Sequence, residues 1–110
     1  MTTPRTTKTA LNEQFARIGK ALASPRRIEL LDLLAQGEHS VEVLAAETDM
    51  SVTLTSSHLQ ALRQARLVET RREGPRVFYR LAGEDVFELL GAIRAAALQR
   101  FFPDSSHGGW

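Results

Sequence analysis

Apolar positions recur with a helical period along most of this chain. Leu11, Phe15, Ile18 and Leu22 follow one another at spacings of four, three and four, which places them on one face of a first helix over about residues 8–23. Ser24 and Pro25 restart the chain, because serine suits an N-cap and proline the first helical position. The second helix then runs to Gln36 with Gly37 as its stop. It carries Ile28, Leu30, Leu31, Leu33 and Leu34 around most of its girth and reads as the central core helix. Glu38 and His39 are left as a connector. Ser40 caps a third helix over residues 41–48, with Val41, Leu44 and Ala45 inward; Asp49 and Met50 turn the chain, and Ser51 caps a fourth over residues 52–65.

The period changes beyond residue 65. Residues 66–72 and 76–81 are β-prone, and Glu73, Gly74 and Pro75 between them predict a hairpin. One of Phe78 and Tyr79 then faces the core. A last helix spans about residues 84–101, with Val86, Phe87, Leu89, Leu90, Ile93, Ala97, Leu98 and Phe101 apolar, and Pro103 ends it. The polar residues 1–8 read as a flexible arm and 103–110 as a flexible tail, leaving residues 9–102 as one folded domain. The expected class is mainly α with a small β-hairpin. Its third and fourth helices, short and joined by a tight turn, form the helix-turn-helix pattern.

Composition narrows the chemistry. With no cysteine, disulfides, thiolate metal sites and thiol redox switching are excluded in this chain. No run of 18 apolar residues and no apolar signal core near the start point to a cytoplasmic protein, neither exported nor membrane-spanning. The net charge of +1 conceals a strong partition: residues 24–50 carry two bases and six acids, residues 51–82 six bases and two acids. The positive charge collects on the fourth helix and the hairpin, as expected of a face that meets a polyanion. A solvated hairpin with scattered arginines is the plain alternative.

On the fourth helix Thr53, Ser57, Gln60 and Gln64 make one stripe, and Thr55, Leu59 and Leu62 another. The second is the buried side. In the first, short hydroxyls allow close approach to a duplex and Gln60 is long enough to reach a base edge, with Ser56 and His58 beside it. Arg63 on the helix and Arg71, Arg72 and Arg76 about the hairpin tip suit phosphate or a minor groove.

The segments "SSHLQALRQARLV" and "RREGPRVFYRL" resemble the winged-helix repressors of the ArsR/SmtB family. That family's pattern is Ser-x-His-Leu-x-x-Leu in the recognition helix, then Leu-Val and a glycine-containing wing ending in Tyr-x-Leu. Ser56, His58, Leu59, Leu62, Leu67, Val68, Gly74, Tyr79 and Leu81 fit it, "ALASPRRIELLDLL" fits the entry to the second helix, and the likeness covers about residues 15–98. The resemblance implies a winged helix-turn-helix: four helices, the wing, a fifth helix, and a homodimer joined through the first and last helices. Leu11, Phe15, Ile18, Leu90, Ile93 and Ala97 are the interface candidates. The partner implied is double-stranded DNA carrying an imperfect inverted repeat, with repression as the expected outcome and activation the alternative.

Such proteins commonly respond to metals or to cysteine oxidation, and both of the family's usual sites are degenerate here. Ser40 and Glu42 stand where cysteine can occur, and Gly83, Asp85, Ala96 and Gln99 occupy the second set, three of its four ligands missing. His39, Glu42, Asp85, Glu88 and His107 remain as candidate ligands for Ni(II), Zn(II) or Co(II), with plain surface roles as the alternative. Control by a protein co-regulator, or a winged helix that binds protein in place of DNA, also stays open. Catalysis does not fit: Ser56 and His58, two apart on a helix, point roughly 200° apart, with no acid placed to orient the imidazole.

Overall fold

Serine caps set three of the helix starts. The computed structural model describes residues 5–102, so residues 1–4 of the expected arm and the tail, Pro103 and His107 included, lie outside the described residues. The Oγ atoms of Ser24, Ser40 and Ser51 accept from the backbone N–H of Arg27, Val43 and Leu54 at 3.3, 3.2 and 3.0 Å. Each such cap stabilises its helix by about 1 kcal/mol. The order is α1 (Arg5–Leu22), α2 (Pro25–Ala35), β1 (His39–Ser40), α3 (Val41–Thr48), α4 (Val52–Gln64), β2 (Val68–Glu73), β3 (Arg76–Leu81) and α5 (Glu84–Phe101). Residues 5–8, assigned to the arm by their polarity, are the first turn of α1. Once a helix is nucleated each added residue gains a hydrogen bond, which outweighs the weak helix propensity of threonine.

Two non-glycine residues take left-handed backbone angles, and both end a helix. Asp49, at φ 56°, closes α3 and aims the chain into α4; Arg66, at φ 62°, closes α4 and turns it toward β2. Backbone bonds brace both corners: Met50 N–H donates to Ala45 O and Leu67 N–H to Leu62 O, each at 3.0 Å. The α3–α4 corner is the helix-turn-helix.

Core packing centres on α2, as its apolar girth requires. Leu30, Leu31 and Leu34 meet Val41 and Leu44 of α3, Leu59 and Leu62 of α4, and Leu67, Val68, Tyr79, Val86 and Leu90. Leu90, an expected dimer contact, is a correction: at 7% exposure it belongs to the protomer's own core. Other apolar residues of the long outer helices stay uncovered, namely Leu11 and Phe15 on α1 and Phe87, Leu98 and Phe101 on α5. Ile18 and Ile93 are half-buried and Ala97 is exposed. The radius of gyration, 16.8 Å, exceeds the roughly 13 Å of a compact 100-residue domain, because these helices project outward.

The sheet has a strand the sequence did not disclose. His39 and Ser40, read as connector and cap, pair antiparallel with Tyr79 and Phe78, giving the order β1-β3-β2. β2 and β3 pair from Val68↔Leu81 to Glu73↔Arg76, so Gly74 and Pro75 form a two-residue loop. Gly74, at φ 60°, stands first in that loop, where a type II′ turn places glycine. Strand alternation puts Thr70, Arg72, Val77 and Tyr79 on the face toward the helices and Glu69, Arg71, Glu73, Phe78 and Arg80 on the outer face.

Candidate nucleic-acid interface

α4 presents three kinds of surface. Thr55, Leu59 and Leu62 are fully buried, and the Thr55 hydroxyl donates to Ser51 O at 2.8 Å, so its burial leaves no polar atom unpaired. Thr53, Ser57, Gln60 and Gln64 are all exposed on the opposite side. Between that stripe and the wing lies a concavity of about 320 Å³, lined by Ser56, Gln60 and Arg63 of α4 and by Val41, Thr70, Arg72, Val77 and Tyr79. No acid lines it. Among the described residues Arg63 and Arg72 make no ion pair. Burial raises the Tyr79 phenol above its ordinary pKa while the Arg63 charge opposes that shift, which keeps the hydroxyl neutral beside the cations.

The outer face of the wing is neutralised from within. Arg71 Nη2 lies 2.7 Å from Glu38 Oε1 and its Nη1 2.6 Å from Glu73 Oε2, with the guanidinium carbon 4.7 Å from the Phe78 ring centroid. These bonds lower the Glu38 carboxyl below the usual range and raise the Arg71 guanidinium still higher. Arg80 pairs with Glu69 at 3.1 Å. Of the three wing arginines singled out from sequence, Arg71 is therefore engaged within the protein. Arg72 opens into the concavity, and Arg76 is exposed at the loop without an ion pair among the described residues.

His58 is turned away from the polar stripe. Its Nδ1 accepts from Arg27 Nε at 3.2 Å, and Arg27 Nη1 reaches Ala21 O at 3.5 Å, so the imidazole ties α4 to α2 and the end of α1. Burial first, then the charges of Arg27 and Arg26, hold the ring below its ordinary pKa. It is a neutral acceptor inside the protein. Ser56 lines the wing concavity while His58 faces α2, so the two do not form a nucleophile and base pair.

The candidate metal ligands are not brought together. Among the described residues no group of three or more His, Asp or Glu is placed to hold one ion. His39 lies in β1, Glu42 on the exposed first turn of α3 and Glu88 on exposed α5, while Asp85 Oδ1 accepts from Val86 N–H at 3.0 Å. Within one protomer, then, His39, Glu42, Asp85 and Glu88 do not make up the expected Ni(II), Zn(II) or Co(II) set; His107 lies outside the described residues. The sequence reading also missed Glu38 and Arg27, which anchor Arg71 and His58 across 33 and 31 residues, separations that leave no periodic signal.

Residues 24–70 match the family described as bacterial regulatory protein, arsR family. The biofilm growth-associated repressor of Agrobacterium fabrum is 45% identical over 82 residues, 74% of this chain and 70% of that protein. The chain belongs to the ArsR family. Another relative, the HTH-type transcriptional regulator Rv0324 of Mycobacterium tuberculosis, is 54% identical over 90 residues. Those residues are 82% of this chain and 40% of Rv0324, so the chain spans less than half of that relative's length. Among solved structures, the homodimeric winged helix-turn-helix DNA-binding domain of Mb0332 from Mycobacterium bovis superposes with a TM-score of 0.83 at 50% identity. The match covers 90% of this chain and 92% of that one. This ArsR-family chain has the winged helix-turn-helix fold, and among its described residues no helix is long and apolar enough to cross a membrane.

Proposed function

We propose that this ArsR-family chain is a sequence-specific DNA-binding repressor that holds an inverted-repeat operator as a homodimer. One observation carries the reading: Ser56, Gln60 and Arg63 of α4 and Arg72 of the wing share one acid-free concavity beside an exposed polar stripe. An α-helix about 10–12 Å across fits a major groove about 12 Å wide. Seated there, Thr53, Ser57 and Gln60 face base edges, and Ser56, Arg63, Arg72 and Arg76 face the flanking backbone. His58 supports the helix from behind, and Arg71 stiffens the wing.

The uncovered apolar residues of α1 and α5, Leu11, Phe15, Leu98 and Phe101 among them, supply the surface for a second copy. A two-fold dimer sets two α4 helices on one duplex, which selects an inverted repeat. Bound across a promoter, such a dimer blocks polymerase. In vitro selection from random duplexes tests the reading: an enriched inverted repeat, whose placement in a promoter lowers transcription when protein is added, is the expected result. Enrichment of no sequence, or transcription that rises on binding, contradicts it.

A further inference from the structure

We infer that the DNA interface continues on the other shoulder of α4, where α1, α2 and α4 form a second basic concavity that takes a backbone phosphate of the duplex. The inference rests on the DNA-binding reading above. At 3.6 residues per turn, Ser56 and Arg63 fall on one side of the Thr53–Ser57–Gln60–Gln64 stripe, and Ala61 and Ala65 on the other. The second side is not flat. It holds a concavity of about 260 Å³ lined by Arg17, Lys20 and Ala21 of α1, Arg27 of α2, Ala61 and Gln64 of α4, and Ala65, the C-cap of α4.

Its construction suits an oxyanion. Three alanines, Ala21, Ala61 and Ala65, make a shallow floor, three cations stand at its wall, and among the described residues no acid lines it. Among the described residues Arg17 donates only to the neutral Gln14 Oε1, at 2.9 Å, and none of the three cations has a carboxylate partner. Arg27 is held in place through Nε and Nη1, bonded to His58 and Ala21 O, while its Nη2 has no bond partner among the described residues. That is a fixed guanidinium edge, beside which Arg17 and Lys20 are exposed and adjustable.

A free small oxyanion shares this chemistry, but the position favours the duplex. Gln64 belongs both to the exposed stripe and to the concavity, so a strand that borders the groove read by Thr53 and Gln60 passes over Arg17 and Lys20. A helix lying in a major groove has a phosphate strand along each flank. The wing concavity, with Arg63 and Arg72, serves one strand, and the Arg17–Lys20–Arg27 concavity the other.

The test is the double variant Arg17→Ala/Lys20→Ala, which leaves Arg27 and its bond to His58 intact and changes only exposed side chains. Its thermal midpoint should match the parent. Expected is a salt slope of log K lower by about 2 per dimer, because each protomer neutralises one phosphate fewer at about 0.9 each, with preference among sequences unchanged. Ethylation interference on the selected operator should show phosphates on both flanks of each half-site for the parent and on the wing flank only for the double variant. A steep slope identical in parent and double variant overturns this inference and leaves the DNA reading standing. Inorganic phosphate that binds the free parent but not the double variant, with the DNA slope unmoved, also overturns it, by assigning the site to a small oxyanion. A parent with no salt-dependent duplex binding removes both.

Discussion

Arg71 Nη2 lies 2.7 Å from Glu38 Oε1, and that ion pair separates the roles of two adjacent arginines. Strand alternation sends Arg71 to the outer face, where Glu38, Glu73 and Phe78 hold it, and Arg72 to the inner face beside Gln60 and Arg63. Replacing Arg72 with Ala should weaken binding to all duplexes alike and lower the salt slope by about 1 for each phosphate that is no longer neutralised. Replacing Arg71 with Ala should leave the slope near its parent value. Anisotropy titrations of both variants at several salt concentrations check this, and an equal fall in slope for the two would contradict the division.

Gln60 occupies the exposed stripe and lines the wing concavity, and in the proposed complex it reads a base edge. Gln60→Ala should relax discrimination at one operator position by about 1–3 kcal/mol while changing the salt slope little. Competition between the operator and its single-base variants measures this. A uniform loss of affinity over all sequences would make Gln60 a backbone-binding residue.

His58 links folding to pH. Burial and the neighbouring Arg27 and Arg26 charges hold its pKa below the ordinary imidazole value of about 6.5. As pH falls through about 6.5 the unfolded chain takes up the proton first, so it binds more protons than the folded chain and stability declines. The decline levels off once the folded ring titrates, and above about 7 this group adds no slope. His58→Gln, which keeps an acceptor for Arg27 and removes the titration, should flatten the thermal midpoint between about pH 5 and 7. An unchanged profile would place the pH dependence elsewhere.

Phe15 is 59% exposed on α1 although it shares a helix face with the half-buried Ile18. In the proposed dimer Phe15 is an aromatic anchor, and its replacement by Ala should cost about 2 kcal/mol of association, roughly thirtyfold in the dimer dissociation constant. Sedimentation equilibrium reads that shift directly. Dimerisation unaffected by Phe15→Ala, Leu98→Ala and Phe101→Ala together would move the interface off these two helices.

Local rules disclosed most of the helices. Ser24 before Pro25, and Ser40 and Ser51 before apolar runs, announce their caps from within a few residues, and the Thr55–Leu59–Leu62 stripe declares which side of α4 is buried. The remainder depends on distant partners. β1 exists because His39 and Ser40 meet Tyr79 and Phe78, and two residues are too few to show a period. Leu90 looked like an interface residue because α5 is apolar over much of its girth, and periodicity alone does not say which part of that girth the protomer keeps. His58 sits among the polar residues of the recognition helix, yet its direction is set by Arg27, a residue two helices earlier.

The most direct test of the proposed DNA recognition by a dimer is the affinity of the full chain for its selected operator between about 50 and 200 mM salt, set against a duplex with both half-sites scrambled. Two protomers per operator, a linear and steep fall of log K with log salt, and a clear advantage for the intact repeat that persists across the range are predicted. Equal affinity for the two duplexes, or binding that salt does not weaken, would contradict this.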